Sequence, residues 1–158
     1  MVWQTFRFAL QNTTVRVWLG HDIMNNLTTV FIDSESDVVI ARMEARQVAK
    51  KMGFGTVDQA RISLATSELS RLIYETPSQV GEIAISDVSQ SKPYGIQVSC
   101  CIDVVAHLAP DDPERPGVML SEQMKFQRTL MGMARLMDEC LLDVHENGKT
   151  GVTLIKWV

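Results

Sequence analysis

With 158 residues, 46% of them hydrophobic, the chain has the length and apolar content of one domain with a substantial core. A formal net charge of −4, with no Lys/Arg cluster interleaved with aromatics, argues against nucleic acid as a partner. No apolar run approaches the roughly 20 residues that cross a bilayer, and Met1-Val2-Trp3-Gln4 lacks the basic start of a signal peptide, so a cytoplasmic location and no membrane partner are expected.

Alternation at Phe6, Phe8 and Leu10, repeated at Val15, Val17 and Leu19, predicts two strands over 2–10 and 13–19 that form an N-terminal hairpin. After a connection over 20–26, residues 27–32 read as a β-branched strand. Ser34 or Ser36 then caps a helix that runs to Met52 and stops at Gly53. Its expected buried side is Val39, Ala41, Ala45, Val48, Ala49 and Met52, with Arg42, Glu44, Arg46, Lys50 and Lys51 outside. A second helix covers 56–74, opened by Thr56 and Gln59 at capping-box spacing. Thr76-Pro77 ends it.

Short strands follow over 82–86 and 94–106, joined by the polar turn 89–93, and the proline-stiffened stretch 110–117 reads as a fixed loop. A last helix from Ser121 to about Cys140 lines up Phe126, Leu130, Met133, Ala134, Met137 and Leu141 as a core stripe. Strands over 142–146 and 152–157 close a hairpin around Asn147-Gly148-Lys149. The expected fold class is α/β (α+β): a two-layer sandwich whose mixed, mainly antiparallel sheet carries three main helices on one face.

Cys100, Cys101 and Cys140 are an odd count without metal-type spacing, which suits reduced thiols. His21, His107 and His145 lack the i, i+4 arrangement of a helical zinc site, and nothing local pairs Cys101 or Cys140 with a histidine base. No metal is expected.

Glu68 and Leu72 are four residues apart on the second helix and therefore share a face. A metal-nucleotide site uses that spacing when both residues offer oxygen, and leucine has no lone pair for magnesium. From spacing alone, Ala65, Leu69, Leu72 and Ile73 are the apolar stripe of a buried helix and Glu68 is a solvated charge.

The segment Gly53-Phe54-Gly55-Thr56-Val57-Asp58-Gln59-Ala60-Arg61-Ile62, followed by Ser67-Glu68-Leu69-Ser70-Arg71, resembles the RsbT-like anti-sigma-factor serine kinases. The likeness continues upstream through Glu35-Ser36-Asp37-Val38-Val39 and Val48-Ala49-Lys50-Lys51. It returns at Arg135-Leu136-Met137-Asp138-Glu139, Gly148-Lys149-Thr150-Gly151-Val152-Thr153 and Lys156-Trp157. It spans residues 28–158 with a poorly matching middle over 74–129, and leaves 1–27 as an N-terminal extension of a single domain, 1–158.

The resemblance implies the histidine-kinase/gyrase type of ATPase fold, with an acid-plus-asparagine helix, an Asp-x-Gly-x-Gly turn and a glycine-rich lid. Carried over by position, the catalytic acid falls on Glu68 and the asparagine on Leu72, while the adenine-binding aspartate falls on Ile102. Asp103 is adjacent, but a one-residue shift in a strand reverses the face unless a bulge corrects it. The lid glycines fall on Lys125-Phe126-Gln127-Arg128-Thr129, with Gly132 beyond. Phosphoryl transfer rests on positioning and charge neutralisation, so the three losses together imply a non-catalytic relative, without ATP or magnesium, in which Glu68 is the one retained catalytic candidate.

For such a relative the resemblance implies protein partners: a serine phosphatase, a STAS-type antagonist or a sigma factor in bacterial partner-switching stress signalling. The N-terminal hairpin is either an edge for a homodimer or docking partner, or extra sheet that caps the core. The alternative is an active ATP-dependent serine kinase that uses Glu68 and Asp103 in a rearranged site.

Overall fold

Three helices lie on one face of a seven-stranded sheet among the described residues of this computed structural model, which are 4–7, 14–17, 25–76, 79–88, 94–103, 118–144 and 149–158. The strands are β1 (Gln4–Arg7), β2 (Thr14–Val17), β3 (Asn25–Ile32), β4 (Gly81–Val88), β5 (Gly95–Asp103), β6 (Glu139–Val144) and β7 (Lys149–Trp157). Their spatial order is β1-β2-β6-β7-β5-β4-β3. Every neighbouring pair is antiparallel except β2 and β6, which run parallel and meet at Arg16 and Leu141. The N-terminal hairpin thus extends the sheet at one end, pairing Gln4 with Val17 through Arg7 with Thr14.

Period-two burial aims one face of the sheet at the helices. On β5, Ile96, Val98, Cys100 and Ile102 are buried, and register sets them beside Ile83 and Ile85 of β4 and Val152 and Leu154 of β7. Helix α1 (Glu35–Lys51) starts at Ser34, whose hydroxyl and backbone N–H both donate to the Asp37 carboxylate, at 2.7 and 3.0 Å. It ends before Gly53, which takes φ +89°, a conformation that glycine adopts without steric cost.

The buried side of α1 is Val38, Ala41, Ala45 and Ala49, and Val39 is exposed, a correction of one position to the stripe expected from sequence. Small residues there let α2 (Thr56–Tyr74) approach closely, and Ser63 of α2 donates its hydroxyl to the Arg42 carbonyl at 3.4 Å. The start of α2 also departs from expectation. Its N-cap is Gly55, not Thr56, and Gln59 Nε2 reaches back past the cap to the Phe54 carbonyl at 2.7 Å. The glutamine still anchors the first turn, by a different acceptor.

Helix α3 (Val118–Leu136) is shorter at its C-terminus than the sequence stripe suggested, because Glu139 already pairs with Ile155 in the sheet. Phe126, Met133 and Met137 join the core, while Cys140 and Leu141 belong to β6. The expected turn over 89–93 and loop over 110–117 lie outside the described residues, as do Pro77, residues 104–106 and 145–146 of the expected strands, and Asn147-Gly148 of the expected hairpin turn; Lys149 already belongs to β7.

A charged clamp closes the end of the layer. Lys156 is buried in the helix-side row of β7, opposite Ile96; its Nζ donates to Asp138 Oδ1 at 2.7 Å and lies 3.8 Å from Asp58 Oδ1 at the start of α2. Asp138 also accepts the Trp157 N–H at 2.8 Å, and the Trp157 indole donates to Glu139 at 2.9 Å. Removing Asp138 would leave Lys156 buried with a single distant acid. Asp138→Ala is therefore expected to lower unfolding stability by about 1–3 kcal/mol, more than Lys156→Met does, read as urea midpoints at unchanged slope.

Candidate functional site

Helix α2 is the centre of the helical layer, packed against α1 and α3 at its sides and against β4 and β5 below. Its buried hydroxyls are engaged locally: Thr66 donates to Ile62, Ser67 to Ser63 and Ser70 to Thr66, at 2.8, 3.1 and 2.8 Å. None of these three hydroxyl hydrogens is left for a ligand.

Glu68 is half-buried and makes no hydrogen bond or ion pair among the described residues. One turn later Leu72 is 8% exposed, and Ile102 on β5 is 4% exposed; both belong to the apolar core with Leu69 and Ile73. Pairing of β5 with β7 runs without a shift through Ile102 opposite Thr150 and Asp103 opposite Lys149. The inserted residue that would turn position 103 to the face of position 102 is not present in this stretch.

Residues 125–129 lie well inside α3, where backbone N–H groups bond to carbonyls one turn back and cannot wrap a phosphate. Lys125 pairs with Glu75, beyond the end of α2, at 2.9 Å, and Thr129 donates to the Lys125 carbonyl at 3.1 Å. At these positions one carboxylate, two buried hydrocarbon side chains and a continuous helix replace the oxygen donors and bare backbone that a magnesium nucleotide takes. Among Glu68, Leu72 and Ile102, Glu68 is the one side-chain oxygen donor for that group.

The three thiols are free, with Cys100 and Cys140 buried and Cys101 exposed on the opposite face of β5. Burial holds the Cys100 thiol far above its ordinary range and pushes Cys140 up to about 11. Burial also raises Cys101, more weakly, with Lys149 opposing it. The three histidines lie outside the described residues, among which no group of three or more His, Cys, Asp or Glu side chains is placed to hold a metal. The native chain is expected to react with a thiol reagent at pH 8 through Cys101 alone, and all three cysteines are expected to react once the chain is unfolded in denaturant, counted by absorbance.

The layer order, the helix that carries Glu68 and the antiparallel sheet beneath it define the histidine-kinase-like ATPase fold. A crystal structure of the RsbU and RsbW domains of Rv1364c from Mycobacterium tuberculosis superposes with a TM-score of 0.55 at 16% identity, over 84% of this chain and 32% of that one. No protein-family model matches the chain. It is 38% identical over 138 residues to the serine/threonine-protein kinase RsbT of Bacillus subtilis (strain 168), spanning 85% of this chain and 99% of that relative. The chain belongs to the RsbT-like anti-sigma-factor serine kinase family.

Sequence reasoning located Glu68, Leu72 and Ile102 but missed the clamp that joins Asp58, Asp138 and Lys156. These residues appeared only inside stretches of resemblance. A buried lysine in a β-strand next to tryptophan was the available signal, since a charge there requires a partner.

Proposed function

We propose that this member of the family is a non-catalytic, protein-binding regulator of bacterial partner switching, working in the cytoplasm without ATP. The observation that carries the proposal is the burial of Leu72 and Ile102 in one apolar core, where a nucleotide site needs a magnesium ligand and an adenine acceptor. The helix through residues 125–129 adds to it. A chain that retains the scaffold and has lost the donor groups keeps one use, which is to present its surface to another protein. Candidate partners are a serine phosphatase activated by docking, a STAS-type antagonist or a sigma factor.

A second reading, an active serine kinase with a rearranged site, draws on the 38% identity to a named kinase and on Glu68 itself. Calorimetric titration with Mg-ATP to millimolar concentration separates the two, combined with an assay of phosphate transfer to a STAS-type substrate. The expected result is no saturable heat, no transfer and no difference between the native chain and Glu68→Ala. Saturable binding that disappears in Glu68→Ala would defeat the proposal.

Leu72→Asn is expected to restore neither binding nor turnover, because position 102 and the α3 segment are unchanged. Its main effect is a buried amide in an apolar core, about 2–4 kcal/mol of lost stability by thermal or urea unfolding. Recovered turnover in that variant would refute the account.

A further inference from the structure

Away from the sheet, the outer surface of α1 and α2 carries apolar side chains that the fold leaves in solvent. Val39, Ile40 and Met43 of α1 are 44%, 48% and 55% exposed, and Leu64 of α2 is 49% exposed. The bond from Ser63 to the Arg42 carbonyl sets the Met43 turn of α1 beside the Leu64 turn of α2, so the exposed residues of the two helices lie on adjoining turns.

Beside this apolar strip runs a ladder of positive charge. Arg42, Arg46 and Lys50 are exposed, spaced four residues apart, and form no side-chain hydrogen bond or ion pair among the described residues. Like charges at that spacing repel one another along a helix. Residues 38–51 hold four basic residues against one acid, Glu44, within a chain whose net charge is −4. The segment is thus opposite in sign to the protein that carries it.

We propose that this face binds an acidic amphipathic helix of a protein partner, deepening the protein-binding role proposed above and resting on it. Charge and spacing both point to that occupant. Successive rungs of the ladder are about 6 Å apart along the axis, the same interval at which a second helix presents carboxylates at i, i+4 and i+8. Between those carboxylates such a helix shows an apolar stripe, which meets Val39, Ile40, Met43 and Leu64. A second copy of this chain would bring two positive ladders together, and a polyanion alone would leave the apolar strip uncovered.

The test uses the intact chain and two synthetic amphipathic helices with the same leucine stripe, one flanked by glutamates at four-residue spacing and the other by lysines, followed by fluorescence anisotropy. The acidic helix is expected to bind saturably, more weakly as salt is raised, and the basic helix not at all. Met43→Asp and the triple variant Arg42→Glu, Arg46→Glu, Lys50→Glu are each expected to weaken binding on the order of tenfold or more, with unfolding midpoints within a few degrees of the native chain.

Equal binding of the two helices, or acidic binding unchanged in both variants, would overturn the inference. Preferential binding to phosphatidylserine vesicles would assign the face to a membrane instead. A dimer in sedimentation that Met43→Asp dissociates would assign it to a second copy. Mg-ATP binding with acidic-helix binding retained would end the non-catalytic reading while leaving the docking face in place; absence of both would do the reverse.

Discussion

Leu72 of α2 and Ile102 of β5 close the seam between the helical layer and the sheet, and much of the structure's meaning depends on that apolar closure. Helix geometry forces positions 68 and 72 onto one face, so the chain cannot present Glu68 without also presenting whatever occupies the next turn. When that residue is hydrocarbon, burying it stabilises the fold by about 1.5–3 kcal/mol, whereas a charged cofactor beside it would need solvation that the site does not supply. Packing and nucleotide chemistry ask for opposite residues at the same two positions. Leu72 and Ile102 are both buried in the apolar core.

The segments that carry the family likeness divide by physical purpose. Asp58, Asp138, Lys156 and Trp157 join the start of α2, the turn after α3 and the last strand through the hydrogen bonds of Lys156 and Trp157 to Asp138 and a 3.8 Å ion pair from Lys156 to Asp58. They hold the scaffold in shape without touching the positions expected to bind nucleotide. A chain can therefore remain 38% identical to a named kinase over most of its length while differing where chemistry is expected. Whole-chain identity reports the framework, and activity is decided by a handful of donor atoms.

The helical layer has two characters. Its inner surface buries the small side chains of Ala41, Ala45 and Ala49, and the buried hydroxyls of Thr66 and Ser70 turn back onto their own helix. Its outer surface leaves apolar side chains in solvent on the helix that carries Arg42, Arg46 and Lys50, which have no partner among the described residues. Both characters belong to the same two helices.

Periodicity with cap and turn signals located the three helices and seven strands found among the described residues, because alternation with period 2 and stripes near period 3.6 are properties of local backbone geometry. Spacing set Glu68 and Leu72 on one face, and the family resemblance singled Glu68 out. Where these signals erred, tertiary packing decided two cases, with Val38 replacing Val39 as the buried valine of α1 and pairing of Glu139 with Ile155 ending the last helix early, while the α2 cap fell on Gly55 instead of Thr56 within its own first turn. Which strand adjoins which, the salt link from Lys156 to Asp58 and Asp138, and the shared burial of Leu72 and Ile102 are matters of residues distant in the chain meeting in space. Local pattern is written in neighbouring residues, whereas proximity across a sheet depends on register and packing that no single segment encodes.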